Sequence, residues 1–372
     1  MKVLVIPRWY PSELNINSGI FFKVQNEIMY ENGIEIAVLY SEITSLTNYI
    51  NKKKYKDKIL KYKDMYSRMI TIPRFIPRSI KHNQLLHYLT TLYMFQKYVG
   101  LYGLPDIIQA HVTKLSGETA IKIGKKYKIP VVITEHHSEL IIKNYNIDKQ
   151  IEECSQFVCV SNYLKSKIGN KDTIVIPNFI KDRKIIADKG NNIFTLVTVT
   201  NMTKNKNTIL LLRAMTHLSS FNDIKLKIIG EGSEGDNLKK FILENDLKNV
   251  ELLGKLDNEK TLNEIASSDL LISTSFTETF GVSILEAISQ GIPVISTNSG
   301  GPLDIINDRN GLILPDFEVK TLSTSILKIK NKEIDFNKNL IISDYKRNFS
   351  SRTVVARYID LYKNILEKEN RK

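Results

Sequence analysis

The chain has 372 residues, of which 42% are hydrophobic and 25% charged, and it carries a formal net charge of +13. That length predicts two domains, and the apolar fraction is enough for each to bury a core. No apolar run approaches the ~20 residues of a membrane-spanning helix, and two cysteines, Cys154 and Cys159, exclude a disulfide framework. The opening MKVLVIPRWYP is interrupted by Pro7, Arg8 and Pro11. It reads as a buried strand rather than a secretory signal, so a cytoplasmic location is expected.

Short β-rich apolar runs alternate with stretches of helical periodicity, the pattern of parallel sheets covered by helices. In the first half the predicted strands are 2–6, 34–40, 106–110, 131–135, 157–161 and 173–178. Helices are expected at 21–32, 84–99, 117–126 and from 161. The segment 51–81 holds eleven Lys or Arg against Asp57 and Asp64, with Tyr55, Tyr62 and Tyr66 interleaved. It reads as a solvated helix face and loop. Contact with an anionic membrane surface, on the inner face of the membrane, is the functional alternative. Nucleic acid is not expected as a partner, because no recognition motif accompanies the charge. Residues 179–193 are polar and poorly periodic, which marks a linker. Thereafter the rhythm restarts, with strands at 194–199, 224–230, 250–254, 270–275 and 293–297. Helices follow at 207–218, 236–245 and 282–290, and a long one at 353–369. Two doubly wound domains of similar size therefore meet near residue 185, and ligands are expected at the carboxyl ends of strands, in a cleft between domains.

Polar residues after predicted strands carry the chemistry. In SFTETFGVSILEAISQGIPVIST (275–297), Glu278 follows a strand and Glu286 lies within the next helix. Phe280, Gly281 and Val282 stand at that helix's start, whose free N–H groups and positive dipole suit a phosphate. Without further context Glu286 also reads as a surface residue and Glu278 as a charge favourable to the dipole. Gly230, Gly232 and Gly235 form G-x-G-x-x-G after a strand, but in the second half of the chain and with no acid clearly placed ~20 residues on, so a dinucleotide site is a weak match. His111 and the pair His136–His137 follow strands. No G-x-S-x-G nucleophile and no third or fourth metal ligand accompany them.

The stretch 275–297 resembles the signature of the retaining glycosyltransferases of the GT-B fold, family 4, with its E-x7-E inside a segment like ETFG-x-x-x-LEA-x-x-x-G-x-PVI. Gly300–Gly301, Asp304 and Asn310–Gly311 continue the resemblance. So do WYPSELNINSGIFF with its loop glycine Gly19, DIIQAH, TEHHSEL, VSNYLK and IPNFI, where Phe179 replaces the usual Gly. The resemblance implies an α/β chain of two Rossmann-like doubly wound domains facing a central cleft. The acceptor-side domain would be 1–183 with the C-terminal helix 351–372 packing back on it, and the donor domain 184–350. It implies transfer of a sugar from a nucleotide-sugar donor to a glycan or lipid-linked acceptor, with no cofactor and no metal, in agreement with the absence of D-x-D. Lys206 takes the family's Lys position for the diphosphate, while Asn201 stands where the family has Arg and Lys204 is a substitute charge. Glu278 and His136 would face the donor sugar, with His137 the second choice. Glu286 would hold the ribose, and Gly19, Phe280, Gly281, Val282 and Gly232 would line the donor. A sugar-nucleotide epimerase or phosphorylase of the same fold, and a non-catalytic membrane- or nucleic-acid-binding module, are the rival readings.

Overall fold

The computed structural model describes residues 1–15, 18–51, 57–63, 65–76, 79–136, 146–186 and 193–371. The chain divides into two compact units. One comprises residues 1–160, 165–177 and 354–372; the other comprises 161–164 and 178–353.

The first unit is built on eight strands: β1 (Lys2–Pro7), β2 (Glu35–Ser45), β3 (Asp57–Tyr62), β4 (Met65–Arg74), β5 (Ile107–His111), β6 (Val131–Glu135), β7 (Gln156–Cys159) and β8 (Ile174–Val175). Their order is β3-β4-β2-β1-β5-β6-β7-β8. Every pair is parallel except β3 with β4. The central strands are unbroken apolar runs because helices cover both faces: Val3, Leu4, Val5 and Ile6 are all buried. Helices α1 (Ile20–Glu31), α2 (Leu46–Asn51), α3 (Ile80–Tyr102) and α4 (Glu118–Tyr127) belong to this unit. Ser79 caps α3 by accepting the His82 N–H, and Gly103 ends it at φ 78°.

The basic stretch departs from its expectation. Its described residues form a hairpin of β3 and β4, not a helix face and loop, and β4 pairs with β2 along nine residues from Ala37 to Ser45. Apolar residues of β4 supply the strand signal, and the lysines concentrate on the edge strand β3, where they discourage pairing with another chain. The expected strand 173–178 is reduced to Ile174–Val175 at the opposite edge. The last helix (Ser351–Asn370) buries Tyr358, Tyr362 and Ile365. The Tyr362 hydroxyl donates to Gln109 in β5, and that of Tyr358 lies 3.4 Å from Thr134 Oγ1 in β6. Its residues from Val354 onward therefore belong to the first unit.

The second unit has β9 (Phe194–Val199), β10 (Ile224–Ile229), β11 (Val250–Gly254), β12 (Leu270–Ser273), β13 (Val294–Thr297) and β14 (Gly311–Leu314). These are all parallel, in the order β11-β10-β9-β12-β13-β14. Strand order reverses between β9 and β12, as it does between β1 and β5 in the first unit. Those are the topological switch points, where helices leave to opposite faces and a crevice opens at the carboxyl ends. Residues 179–186, expected as linker, are tied into this unit: Phe179 and Ile180 are buried, and Asp182 accepts from the Tyr345 hydroxyl at 2.8 Å.

Candidate functional site

At the switch point of the second unit two loops meet. One follows β9 and ends in the short 3-10 turn Lys204–Lys206; the other follows β12 and runs through Glu278. They are laced by the backbone: the Phe276 N–H donates to Asn205 O at 2.8 Å, Asn205 Nδ2 to Thr277 O at 2.9 Å, and Thr274 Oγ1 to Lys206 O at 3.0 Å. This lacing brings the Lys206 ammonium into ion-pair contact with Glu278 Oε1, both side chains being partly buried. Ser275 Oγ donates to the same oxygen at 2.9 Å. Glu278 is also fixed through its backbone, its N–H donating to Ser299 O and its carbonyl accepting from Gly301 N–H, each at 2.8 Å. A Cβ on Gly301 would overlap the backbone of Thr279 and Phe280, so the loop closes only over glycine.

Helix Val282–Ser289 begins just beyond, with Gly281 as N-cap at φ 109° and no side-chain cap. Its first N–H groups therefore offer a partial positive charge. Glu286, inside this helix, is buried. Burial pushes its carboxyl up to about 7, opposed by the Arg183 guanidinium and by a hydrogen bond with Asn258. Arg183 Nη2 in turn donates to Asn258 Oδ1 at 3.1 Å.

In the first unit, β5 and β6 end side by side, with His111 paired in register to Thr134. His111 Nδ1 lies 3.0 Å from His136 Nε2, one ring donating to the other. Phe22 stacks on His111 at 4.7 Å between centroids and meets His136 edge-on at 5.0 Å. Burial in this aromatic setting pushes His111 down to about 3, so it is neutral. Beside them the buried Glu135 accepts from the Thr113 N–H and hydroxyl at 2.9 and 2.7 Å. The chain leaves β5 through Val112 at φ 74°, a conformation a β-branched residue adopts only under surrounding constraint.

Residues 179–348 match the family described as glycosyl transferases group 1. That match takes in most of the second unit and none of the first. Among curated proteins, the chain is 26% identical over 343 residues to glycosyltransferase MJ1178 of Methanocaldococcus jannaschii, itself uncharacterized, covering 90% of this chain and 89% of that one. It is 22% identical over 362 residues to TuaC of Bacillus subtilis, a glycosyltransferase named for a proposed part in teichuronic acid biosynthesis, covering 90% of each. Among solved structures, HepE of Anabaena in complex with UDP-glucose aligns with a TM-score of 0.72, over 98% of this chain and 100% of that one, at 15% identity. That likeness speaks for the fold, two Rossmann-like units of the GT-B kind.

Within the second unit the expected residues divide. Lys206, Glu278 and Gly281 gather around the switch-point loops. Val282 opens the helix, but Phe280 turns its ring into the core, 6.5 Å from Phe349. At Gly230 a Cβ would overlap the backbone of Thr200, and at Gly232 that of Met202. Asn201 and Lys204 are exposed beside Lys206. Asn310 is buried, donating to Ile305 O at 2.9 Å and accepting from Asn307 N–H at 2.8 Å, which makes it a loop staple. Gly19 of the first unit caps α1 at φ 65°, where a Cβ would overlap the Trp9 carbonyl. His137 lies outside the described residues. Arg183, Asn258, Ser275 and Glu135 were not singled out by sequence. Only Glu135 leaves a trace there, as a carboxylate ending the apolar run VVITE.

Proposed function

We propose that the protein moves a sugar from a nucleoside diphosphate donor to a glycan or lipid-linked acceptor with retention of anomeric configuration, in the assembly of a surface polysaccharide. The observation that carries this reading is the contact between Lys206 and Glu278 at the switch point of the second unit, within the residues that match the glycosyl transferases group 1 family. A departing diphosphate develops negative charge, and a preorganised cation is what lowers that barrier. Lys206 is assigned to the diphosphate. Its ammonium has three donors, so it can keep Glu278 while taking a phosphate oxygen. The N–H groups at the start of Val282–Ser289 add their partial charge, and the reading calls on no metal or cofactor. Glu278 is assigned to hydroxyls of the donor sugar and Glu286 to the ribose, where an ionised carboxylate accepts two hydrogen bonds. His136 is assigned to the donor sugar from the first unit.

In this reading the bond from the anomeric carbon to the diphosphate breaks through an oxocarbenium-like state. The acceptor oxygen bonds to that carbon on the same face, and its proton passes to the leaving phosphate oxygen. No side-chain nucleophile is assigned. The polysaccharide role draws support from the name of TuaC, and the donor class from the matched family and from HepE with its UDP-glucose. The test is a screen of common nucleotide-sugars by thermal shift and nucleoside diphosphate release, with EDTA present, on the parent and Glu286→Ala. A donor that raises the melting temperature and is slowly hydrolysed, both effects weakened in the variant, is the expected result. Silence toward every donor would sink the reading.

A further inference from the structure

We infer that the first unit carries a docking face for an anionic lipid bilayer, made by apolar side chains at the carboxyl ends of β2 and β4. The two strands finish in register, Ser45 opposite Arg74. The chain runs on from one into α2 and from the other into residues 75 and 76 and, from residue 79, into α3, so the continuations start side by side. They expose Leu46, Ile50, Phe75, Ile76 and Ile80, Phe75 to 61%. Leu46 and Ile50 are one helical turn apart on α2, a helix that buries none of its residues. From Ile80 onward α3 is apolar on two faces. It buries Met94, Phe95 and Tyr98 against the unit, while Leu85 and Leu89, four residues apart, face outward. A helix on the surface of a water-facing unit ordinarily carries charge there, and clustered exposed apolar groups mark an interaction site.

Charge selects the occupant. Residues 46–97 hold twelve Lys or Arg against only Asp57 and Asp64, a net +10 of the chain's +13. Some of it is neutralised locally, Arg68 by Asp57, Lys58 by Glu13 and Lys63 by Glu31. Arg74 and Lys81 flank the apolar group in the chain without an ion pair among the described residues. A second copy docking through this face would set like charges against each other, since a two-fold contact is self-complementary. An anionic bilayer meets both features, with negative headgroups above a shallow apolar layer.

This inference goes beyond the glycosyl-transfer reading and is tested by a separate readout. The full chain is sedimented with vesicles of phosphatidylcholine alone and of phosphatidylcholine with phosphatidylglycerol. Binding only to the mixed vesicles, weakened by added salt, is expected. The double variant Phe75→Ser, Ile76→Ser, whose positions are exposed and whose folding is checked by circular dichroism, should bind them about tenfold or more weakly. Lys81→Glu should lose several-fold, while nucleotide release from a soluble donor stays at the parent rate in both variants. Equal binding to neutral vesicles, or mixed-vesicle binding untouched by the double variant, overturns the inference. So does a parent dimer that the double variant converts to monomer in sedimentation velocity, because the face would then be an interface between copies.

Discussion

Glu286 is caught between two demands: its assigned role asks for a carboxylate, and its burial favours the acid. The outcome of about 7, against an ordinary 4.5, has a definite sign in stability. Because the folded state holds the proton more tightly than the unfolded chain, the contribution is fully present below about 4.5 and is lost as pH rises through 7. Glu286→Gln should therefore match the parent in urea unfolding near pH 4 and exceed it at pH 8. Donor affinity of the parent should move the other way, tightening from pH 6 to pH 8 as the carboxylate forms. Lys206 gives a second residue-scale expectation. Lys206→Ala should lower donor-dependent nucleotide release by ~10²–10³-fold, the usual loss when one preorganised donor to a developing anion is removed. It should also lower the melting temperature, because among the described residues the partly buried Glu278 keeps only Ser275 as a side-chain donor. Lys206→Arg should recover part of the rate, since a planar fork does not reproduce a point charge at that reach.

Among the elements, the loops that end parallel strands are held by glycines whose missing side chains make room for another backbone. Gly230 sits at φ 130° against the Thr200 carbonyl. Gly230→Ala should destabilise the second unit by at least ~2 kcal/mol in chemical unfolding, through strain and displacement of the β9 loop that leads to Lys206. The sequence marks such glycines but not the backbone they meet: G-x-G-x-x-G is a weak dinucleotide match by spacing, and only the fold shows Gly230 against Thr200 and Gly232 against Met202. The hairpin of β3 and β4 was hidden for a related reason. A run of lysines looks like a solvated face until the ladder to β2 is known, and that ladder joins residues about thirty apart. The last helix, by contrast, was legible from its periodicity, although which strands it seals was not. Ending the chain after Asn348 would uncover Gln109 and Thr134 and should abolish the cooperative transition of the first unit.

For the molecule as a whole, the titrating groups predict opposite behaviour in its two parts. His87 and His111 of the first unit are both pushed by burial down to about 3 from an ordinary 6.5. Their contribution is present above 6.5 and lost as pH falls toward 3, because the unfolded chain takes up protons that the folded unit refuses. In the second unit Glu286 and Asp304 are raised by burial, so their contribution is lost as pH rises. Amide exchange followed from pH 7 to pH 4.5 should show protection falling in the first unit and holding in the second. A uniform change in both would refute this assignment. The sequence by itself determined the alternation of strand and helix, the restart of that rhythm past residue 190 and the family signature between Glu278 and Glu286. Such features are local: periodicity, turn chemistry and cap residues act over a few neighbours. Tertiary structure alone decided that Lys206 meets Glu278 across 72 residues, that Glu286 faces Arg183 and Asn258, and that His111 is neutral. Those are matters of which strand ends adjoin and how much water is removed, and both are set by segments far apart in the chain.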